Sequence, residues 1–469
     1  MSFRKLFDKK IEVVNVGLDS FKDDLEKQGE KVVNVDWTPP ANIDDSILQI
    51  LHKNKAKIEV ANEKVLEIIL NGKPYLVGLD IARNVIPGMK ENLLLHSGPP
   101  ITWNRVSGPM KGAMIGAIIY EGKAKNFDEA EKLAAAGEFE FSPCHEHETV
   151  GPMAGVVSAS MPVFILKNEA YGNYAYCTLN EGLGKVLRYG AYDNETIERL
   201  KWIENELYPT LKSAVGLLGK IDLKNIIAQA LHMGDEVHNR NRAGTSLFYR
   251  AIAPAIVQTC DKQDVVAKVL NFINGNDHFF LNLSMPVGKV TLDAARNIEN
   301  SSIVVAMCRN GTDFGLQLAG TKDSWFVGEA LVPDALYFPG FTKDDANPDI
   351  GDSSITETVG LGGFAIAASP AIVQFVGGTA NDAVNYTLAM YEIAFGENNM
   401  YQIPYLNFRG TPTGIDVTKV VEKGLTPFID TGVAHKDPGI GQVGAGVLSA
   451  PMDPFIKAAI GLAKQLKNK

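Results

Sequence analysis

Apolar and polar positions change period several times along the chain, and each change marks an element. Ile11 to Val16 reads as a strand. Asp19 then caps a helix with Leu18, Phe21 and Leu25 on one face, and Gly29 ends it. Lys31 to Trp37 gives a second strand, so the opening predicts a βαβ unit of Rossmann-like topology. Pro39-Pro40 breaks that pattern. Helical period returns from Asp44 to Leu70, Tyr75 to Leu79 reads as a buried strand, and Asn126 caps a short helix that stops at Gly137. Val156 to Leu166 is apolar, short and Pro-punctuated, which predicts another buried strand.

From Tyr192 to Asn274 the period is helical. Asp222 and Asp264 are the expected caps, and Ile226, Ile227, Ala230 and Leu231 point inward. Beyond Asn276 the pattern is mixed again. Strands are expected at Phe279 to Met285 and Ile303 to Met307, with a helix across Leu292 to Ile298. Polar loops follow at Cys308 to Asp313 and Asn347 to Glu357. The expected fold is therefore α/β and multidomain: a Rossmann-like unit over 1–95, an α/β domain over 96–191, a helical subdomain over 192–274 and a mixed α/β domain over 275–469. A chain of 469 residues is too long for one ordinary core.

Charge and composition narrow the function. A net charge of −10 and the lack of a basic, aromatic-interleaved stripe argue against a nucleic-acid surface. No apolar run approaches the ~18 residues of a membrane helix. The first residues lack a signal-peptide core. Cys144, Cys177, Cys260 and Cys308 form no CxxC pair, so a reducing cytoplasm is expected. Gly17 stands where a dinucleotide fingerprint would need GxGxxG. Gly439 to Gly444 has that spacing but lacks the preceding strand, and no Walker A sequence occurs. No cofactor is expected.

The densest chemistry lies at Cys144-His145-Glu146-His147-Glu148, followed at once by Gly151-Pro152. In an extended segment His145 and His147 share a face. That arrangement suits an acid/base pair. It also suits metal ligands completed by Glu148, Asp235 or His238, and a structural hydrogen-bond knot remains the third reading. Cys144 reads as a buried thiol. In Gly234 to Arg242 a helix would place Asp235 and His238 on one face; the alternative is a solvated helix end held by salt bridges. Gly360, Gly362 and Gly363 precede an apolar run and are candidates for an anion cradle at a helix start. Arg105, Arg309 and Arg409 in glycine-rich loops are candidate clamps for a small carboxylate or phosphate. Asp352 and Glu357 lie in the polar loop beside the glycines. Gly108-Pro109-Met110-Lys111-Gly112 echoes Gly151-Pro152-Met153-Ala154-Gly155, which predicts two similar strand-entry turns or two loops facing one ligand.

Several long stretches carry a family resemblance: Asn15 to Phe21, Val35 to Pro40, PCHEHETVGPMAGV, Asn180 to Arg188, Met233 to Ala243, Asp349 to Ala365 and Gly410 to Asp416. Together they resemble the bacterial YlbE/YahG-like proteins, nearly end to end. The resemblance implies kinship to a subunit of oxamate carbamoyltransferase, which moves a carbamoyl group between oxalurate or oxamate and phosphate. It also implies a heteromeric complex with an FdrA-type subunit and a small third subunit, and small anionic substrates. Asn180 and Glu181 join the substrate-binding candidates from these stretches. The alternatives are a partner of an FdrA-like protein in acyl-CoA or acyl-phosphate chemistry, a non-catalytic scaffold subunit, and a metal-dependent amidohydrolase.

Overall fold

A computed structural model describes residues 13–16, 19–29, 31–35, 40–373 and 377–467. The opening βαβ unit is present: strand Val13–Val16, helix Asp19–Lys27 and strand Val32–Val35, with the strands parallel. Among the described residues it remains a two-stranded sheet, and a Rossmann domain beyond this unit does not follow. The next strand, Pro74–Ile81, pairs antiparallel in another sheet. Residues 11, 12, 17, 18, 37 and 39, named for this opening, lie outside the described residues, as does the end of the apolar run at 374–376.

The rest is mixed α/β, built on small sheets. One is antiparallel, in the order Tyr174–Thr178, Pro162–Asn168, Pro74–Ile81, Ile221–Asp222. Another runs Phe326–Glu329, Asp313–Leu318, Val304–Asn310, Ile350–Gly351. A third joins Asp334–Tyr337, Gln442–Ser449 and Phe428–Ala434. Leu93–His96 and Glu140–Pro143 form a parallel pair. The helical stretch is borne out by Asn194–Trp202, Tyr208–Leu218, Leu223–His232, Arg242–Thr259 and Gln263–Gly275.

Local signals explain the boundaries. Asn126 Oδ1 accepts the Glu129 N–H at 3.0 Å and Asp222 Oδ1 accepts the Asn225 N–H at 3.0 Å, each starting its helix as expected. Asp264 instead sits in the first turn of a helix that begins at Gln263. The apolar run expected as a strand at Phe279 to Met285 leads into a helix, Leu281–Asp293, buried at every position but the last. Asn282 and Ser284 alternate with apolar neighbours, which imitates a strand's period of two, and burial of both polar side chains within the helix hid its type. The helix expected across Leu292 to Ile298 is only its end. Cys308, Arg309 and Asn310 belong to the strand Val304–Asn310, and only Gly311 and Thr312 turn before the next strand. Gly108-Pro109-Met110 opens the buried helix Gly108–Tyr120, not a strand, so its echo at Gly151 is not structural.

Candidate functional site

Segments far apart in sequence bring a set of buried ionisable groups together. Gly234 to Asn241 forms no helix; Val237 has φ 57°, in the left-handed region. The helical pairing of Asp235 with His238 is therefore absent, and so is the solvated helix end, because Asp235, Glu236 and His238 are all buried. Asp235 Oδ2 accepts the Gly244 N–H at 2.9 Å and Oδ1 faces Arg240 Nε at 3.3 Å.

His238 lies against two carboxylates. Its Nδ1 is 2.7 Å from Glu357 Oε1 and 2.9 Å from Asp430 Oδ1. Burial alone would strip its proton, but Glu357 and Asp430 outweigh that and lift its pKa to about 10. Glu357 also accepts the Gly363 N–H at 3.0 Å and the Thr356 hydroxyl at 3.0 Å. Burial opposes its ionisation, yet His238 and these donors hold its pKa below the usual value. Glu236 and Asp430 adjoin each other, and burial raises both.

The glycine turn serves this cluster from inside. It opens no long helix; Gly362–Phe364 is a short 3-10 turn. The anion that its N–H meets is the carboxylate of Glu357. Gly362 has φ 54°, and a Cβ there would collide with Glu357 Oε1, so close approach requires glycine. Gly360 packs against the strand Arg409–Ile415 instead.

Beside it, Arg309 is fully buried and engaged. Nε and Nη2 bind Asp349 at 2.6 and 3.0 Å, Nη1 binds the Gly351 carbonyl at 2.7 Å, and Nη2 reaches Thr431 Oγ1 at 3.2 Å. On the other side, Cys144–His147 forms a 3-10 turn, so His145 and His147 do not share a face. His145 is buried, with both ring nitrogens lacking a hydrogen-bond partner, and Nε2 lies 3.6 Å from Asp352 Oδ1. Burial, then Lys289 and Arg296, keep its pKa well below the usual histidine value. Asp352 accepts the Gly98 and Gly151 N–H groups at 2.8 and 3.0 Å, and burial still raises its pKa to about 7. Cys144 is buried and its thiol is pushed well up, first by burial.

The remaining candidates fall elsewhere. His147 is tied to the Pro87 carbonyl and Ser142 at 2.7 and 2.9 Å. Glu146 is exposed and accepts from Trp325 Nε1. Arg105 pairs with Asp313 at 2.7 Å. Arg409 pairs with Glu397 and lies over the Tyr391 ring, partly exposed. Asn180 bridges the His278 carbonyl, Asn282 and Asn276, and Glu181 Oε2 accepts the Leu187 N–H at 2.7 Å; both brace the loop that carries Arg188.

Asp430 and Arg188 are the groups that the sequence reading missed. Asp430 is a lone acid inside the apolar strand Phe428–Ala434, which was its available signal. Arg188 is 5% exposed. Its Nη2 binds the Gly182 carbonyl, while Nε and Nη1 have no hydrogen-bond partner. Its charge acts on Glu181, Cys177 and His278, and burial, then Arg188 and His238, lower His278 to about 3.

The comparisons with known proteins agree with one another. The chain is 46% identical over 463 residues to the uncharacterized protein YahG of Escherichia coli, covering 98% of both chains. It is 43% identical over 409 residues to oxamate carbamoyltransferase subunit AllG of the same organism, covering 87% of this chain and 98% of AllG. The chain belongs to the AllG/YahG family. The family model for oxamate carbamoyltransferase subunit AllG matches residues 139–353, which include His145, Arg188, His238, Arg309 and Asp352. A crystal structure of a conserved protein of unknown function from Enterococcus faecalis V583 superposes with a TM-score of 0.86 at 48% identity, covering 87% of this chain and 98% of that one. Among the described residues no helix is long and apolar enough to cross a membrane.

Proposed function

We propose that this chain is a subunit of a carbamoyltransferase that moves a carbamoyl group between carbamoyl phosphate and oxamate. In this reading it works in a heteromeric complex with an FdrA-type subunit and a small third subunit. The observation that carries it is the 43% identity to AllG across 98% of that subunit's length.

The reaction sets requirements that can be matched to residues. The oxamate amide nitrogen attacks the carbamoyl carbon, phosphate leaves, and the nitrogen loses a proton to give oxalurate. That chemistry calls for anion contacts, a donor to the carbamoyl oxygen and a proton acceptor. Arg188 is a buried guanidinium with N–H groups to offer a carboxylate or phosphate. His145 is neutral, with both ring nitrogens unpartnered, and stands beside Asp352. Asp352 and Arg188 both act on the buried Cys177 thiol, which supports reading them as parts of one site. Arg309 serves here as a positioning residue, because Asp349 already occupies its fork.

The test is coexpression with the FdrA-type and small subunits, followed by phosphate release and oxalurate formation from oxamate and carbamoyl phosphate. Product should require all the chains. In complexes shown to assemble, Arg188→Met and His145→Gln should each lower kcat/KM about 10- to 100-fold, the loss of a charged or buried hydrogen bond. Unchanged turnover in both would turn the reading to a scaffold subunit. No product from an assembled complex would remove oxamate as the acceptor.

A further inference from the structure

The charges around His238 do not balance. The outer ions cancel in pairs: Arg309 is held by Asp349, and Arg240 faces Asp235. That leaves Glu236, Glu357 and Asp430 against a single imidazole, all buried. Even with His238 protonated, three ionised carboxylates would keep two negative charges out of water without a partner; in the metal-free chain burial raises Glu236 and Asp430, so protons hold the place that a cation would take.

Hydrogen bonds do not resolve this. Glu357 is supplied by Gly363, Thr356 and the Asp430 N–H, but the Asp430 side chain has only the His238 Nδ1 that it shares with Glu357 and the neighbouring Glu236 carboxyl. The geometry is also wrong for a hydrogen-bonded triad alone. One imidazole N–H can point at one oxygen, yet two carboxylates stand 2.7 and 2.9 Å from the same Nδ1. Separations of that size separate neighbouring ligands on an octahedral ion, where metal–ligand distances of ~2.0–2.1 Å give edges of about 3 Å.

We propose that His238 Nδ1, Glu357 Oε1 and Asp430 Oδ1, with Glu236 alongside, form a binding site for a divalent cation of the Mg2+/Mn2+ class. The ligand atoms of His238, Glu357 and Asp430 already lie within 4.8 Å of one another. Mostly oxygen donors favour a hard cation, and one nitrogen suits Mn2+. Gly362 lets the backbone close over the carboxylates, since any side chain would displace Glu357. The second group of this kind, His145, Cys308 and Asp352, differs in its surroundings. Both Asp352 oxygens already accept N–H bonds, and Lys289 and Arg309 supply positive charge there.

To ligate, His238 must give up its Nδ1 proton, which Glu357 and Asp430 retain in the metal-free cluster. Binding therefore releases a proton and tightens as pH rises. The charged groups bearing on this step are Glu236, Glu357 and Asp430, with Arg309 acting on Glu357 and Asp235, itself facing Arg240, acting on Glu236.

The experiment is a titration of the chelator-stripped full-length chain with Mn2+, reading free ion by electron paramagnetic resonance. The expected result is about one Mn2+ per chain, with proton release, binding stronger at pH 8 than at pH 6, and a nitrogen-14 coupling from the imidazole. Asp430→Asn and Glu357→Gln should each weaken binding about 10- to 100-fold or more. Failure of the wild-type chain to take up Mn2+, Mg2+ or Zn2+ in stoichiometric amount overturns the site. Undiminished binding in folded variants does so too. If the variants do not fold, a bound Mn2+ without nitrogen coupling in the wild-type chain overturns it equally. The readout needs no turnover, so it stands or falls apart from the carbamoyl-transfer reading.

Discussion

Arg309 carries its charge fully buried, and its stability depends on Asp349. The two-pronged contact at 2.6 and 3.0 Å, with Gly351 and Thr431 taking further N–H bonds, neutralises a guanidinium that is otherwise isolated. Removing one partner leaves the other buried and uncompensated, at a cost of about 3–5 kcal/mol. Asp349→Asn should lower unfolding free energy by that amount in urea titrations. His238 gives a pH signature at the same scale. Its pKa in the fold is about 10 against 6.5 for the free side chain. The stabilisation from its proton is thus complete below about pH 6.5 and is lost as pH rises toward 10. In the presence of chelator, the stability gap between wild type and His238→Gln should be constant below pH 6.5 and shrink at pH 8 and again at pH 10. A gap that widens with pH would contradict the assigned proton.

At the scale of elements, short-range signals work where the chain meets water. Asn126 caps Phe127–Ala135 because its side-chain oxygen satisfies an N–H that the helix cannot. Asn126→Ala should cost about 1 kcal/mol by thermal or urea unfolding, and leave ligand or partner binding unchanged. The same logic made Asp222 legible. It failed at Leu281–Asp293, where burial on every side removes the polar stripe that distinguishes a helix from a strand. It failed also at Cys144–His147. The alternation there suggested an extended segment, and the tight 3-10 turn follows from Glu148 in the left-handed region and the Cys144 carbonyl accepting the Thr149 N–H.

Across the whole molecule, remote parts are tied by buried polar groups that no local pattern announces. Asn62 shows this. It projects from Lys55–Asn71, donates to Ser302 Oγ at 2.8 Å and Asp416 Oδ2 at 3.3 Å, and accepts from Ser301 Oγ and the Ser302 N–H. Ser302 in turn donates to Asp416 at 2.7 Å. Satisfied on both ends, the amide pins three distant segments in one arrangement. Asn62→Ala leaves the buried Ser302 N–H and Asp416 Oδ2 without this partner, and should lower stability by about 2–4 kcal/mol in equilibrium unfolding.

What the sequence determined by itself is the mixed α/β class, the helical middle, the capped helix starts, and family kinship through long motifs. These rest on periodicity, capping chemistry and identity of residues, all readable over a few positions. It also placed His145, His238, Asp352 and Glu357 among the candidates, because ionisable groups beside glycine turns are costly unless used. Only the tertiary structure decided how they group. Arg309, Arg105 and Arg409 look alike in the sequence, each beside glycine or small polar residues, yet Asp349, Asp313 and Glu397 occupy them, while Arg188 keeps N–H groups without partners. The partners lie up to 208 residues away in sequence, and charge compensation at that range is set by how sheets and helices pack. Asp430 reaches His238 for the same reason: a strand's neighbours are chosen by the fold, and its own seven residues do not name them.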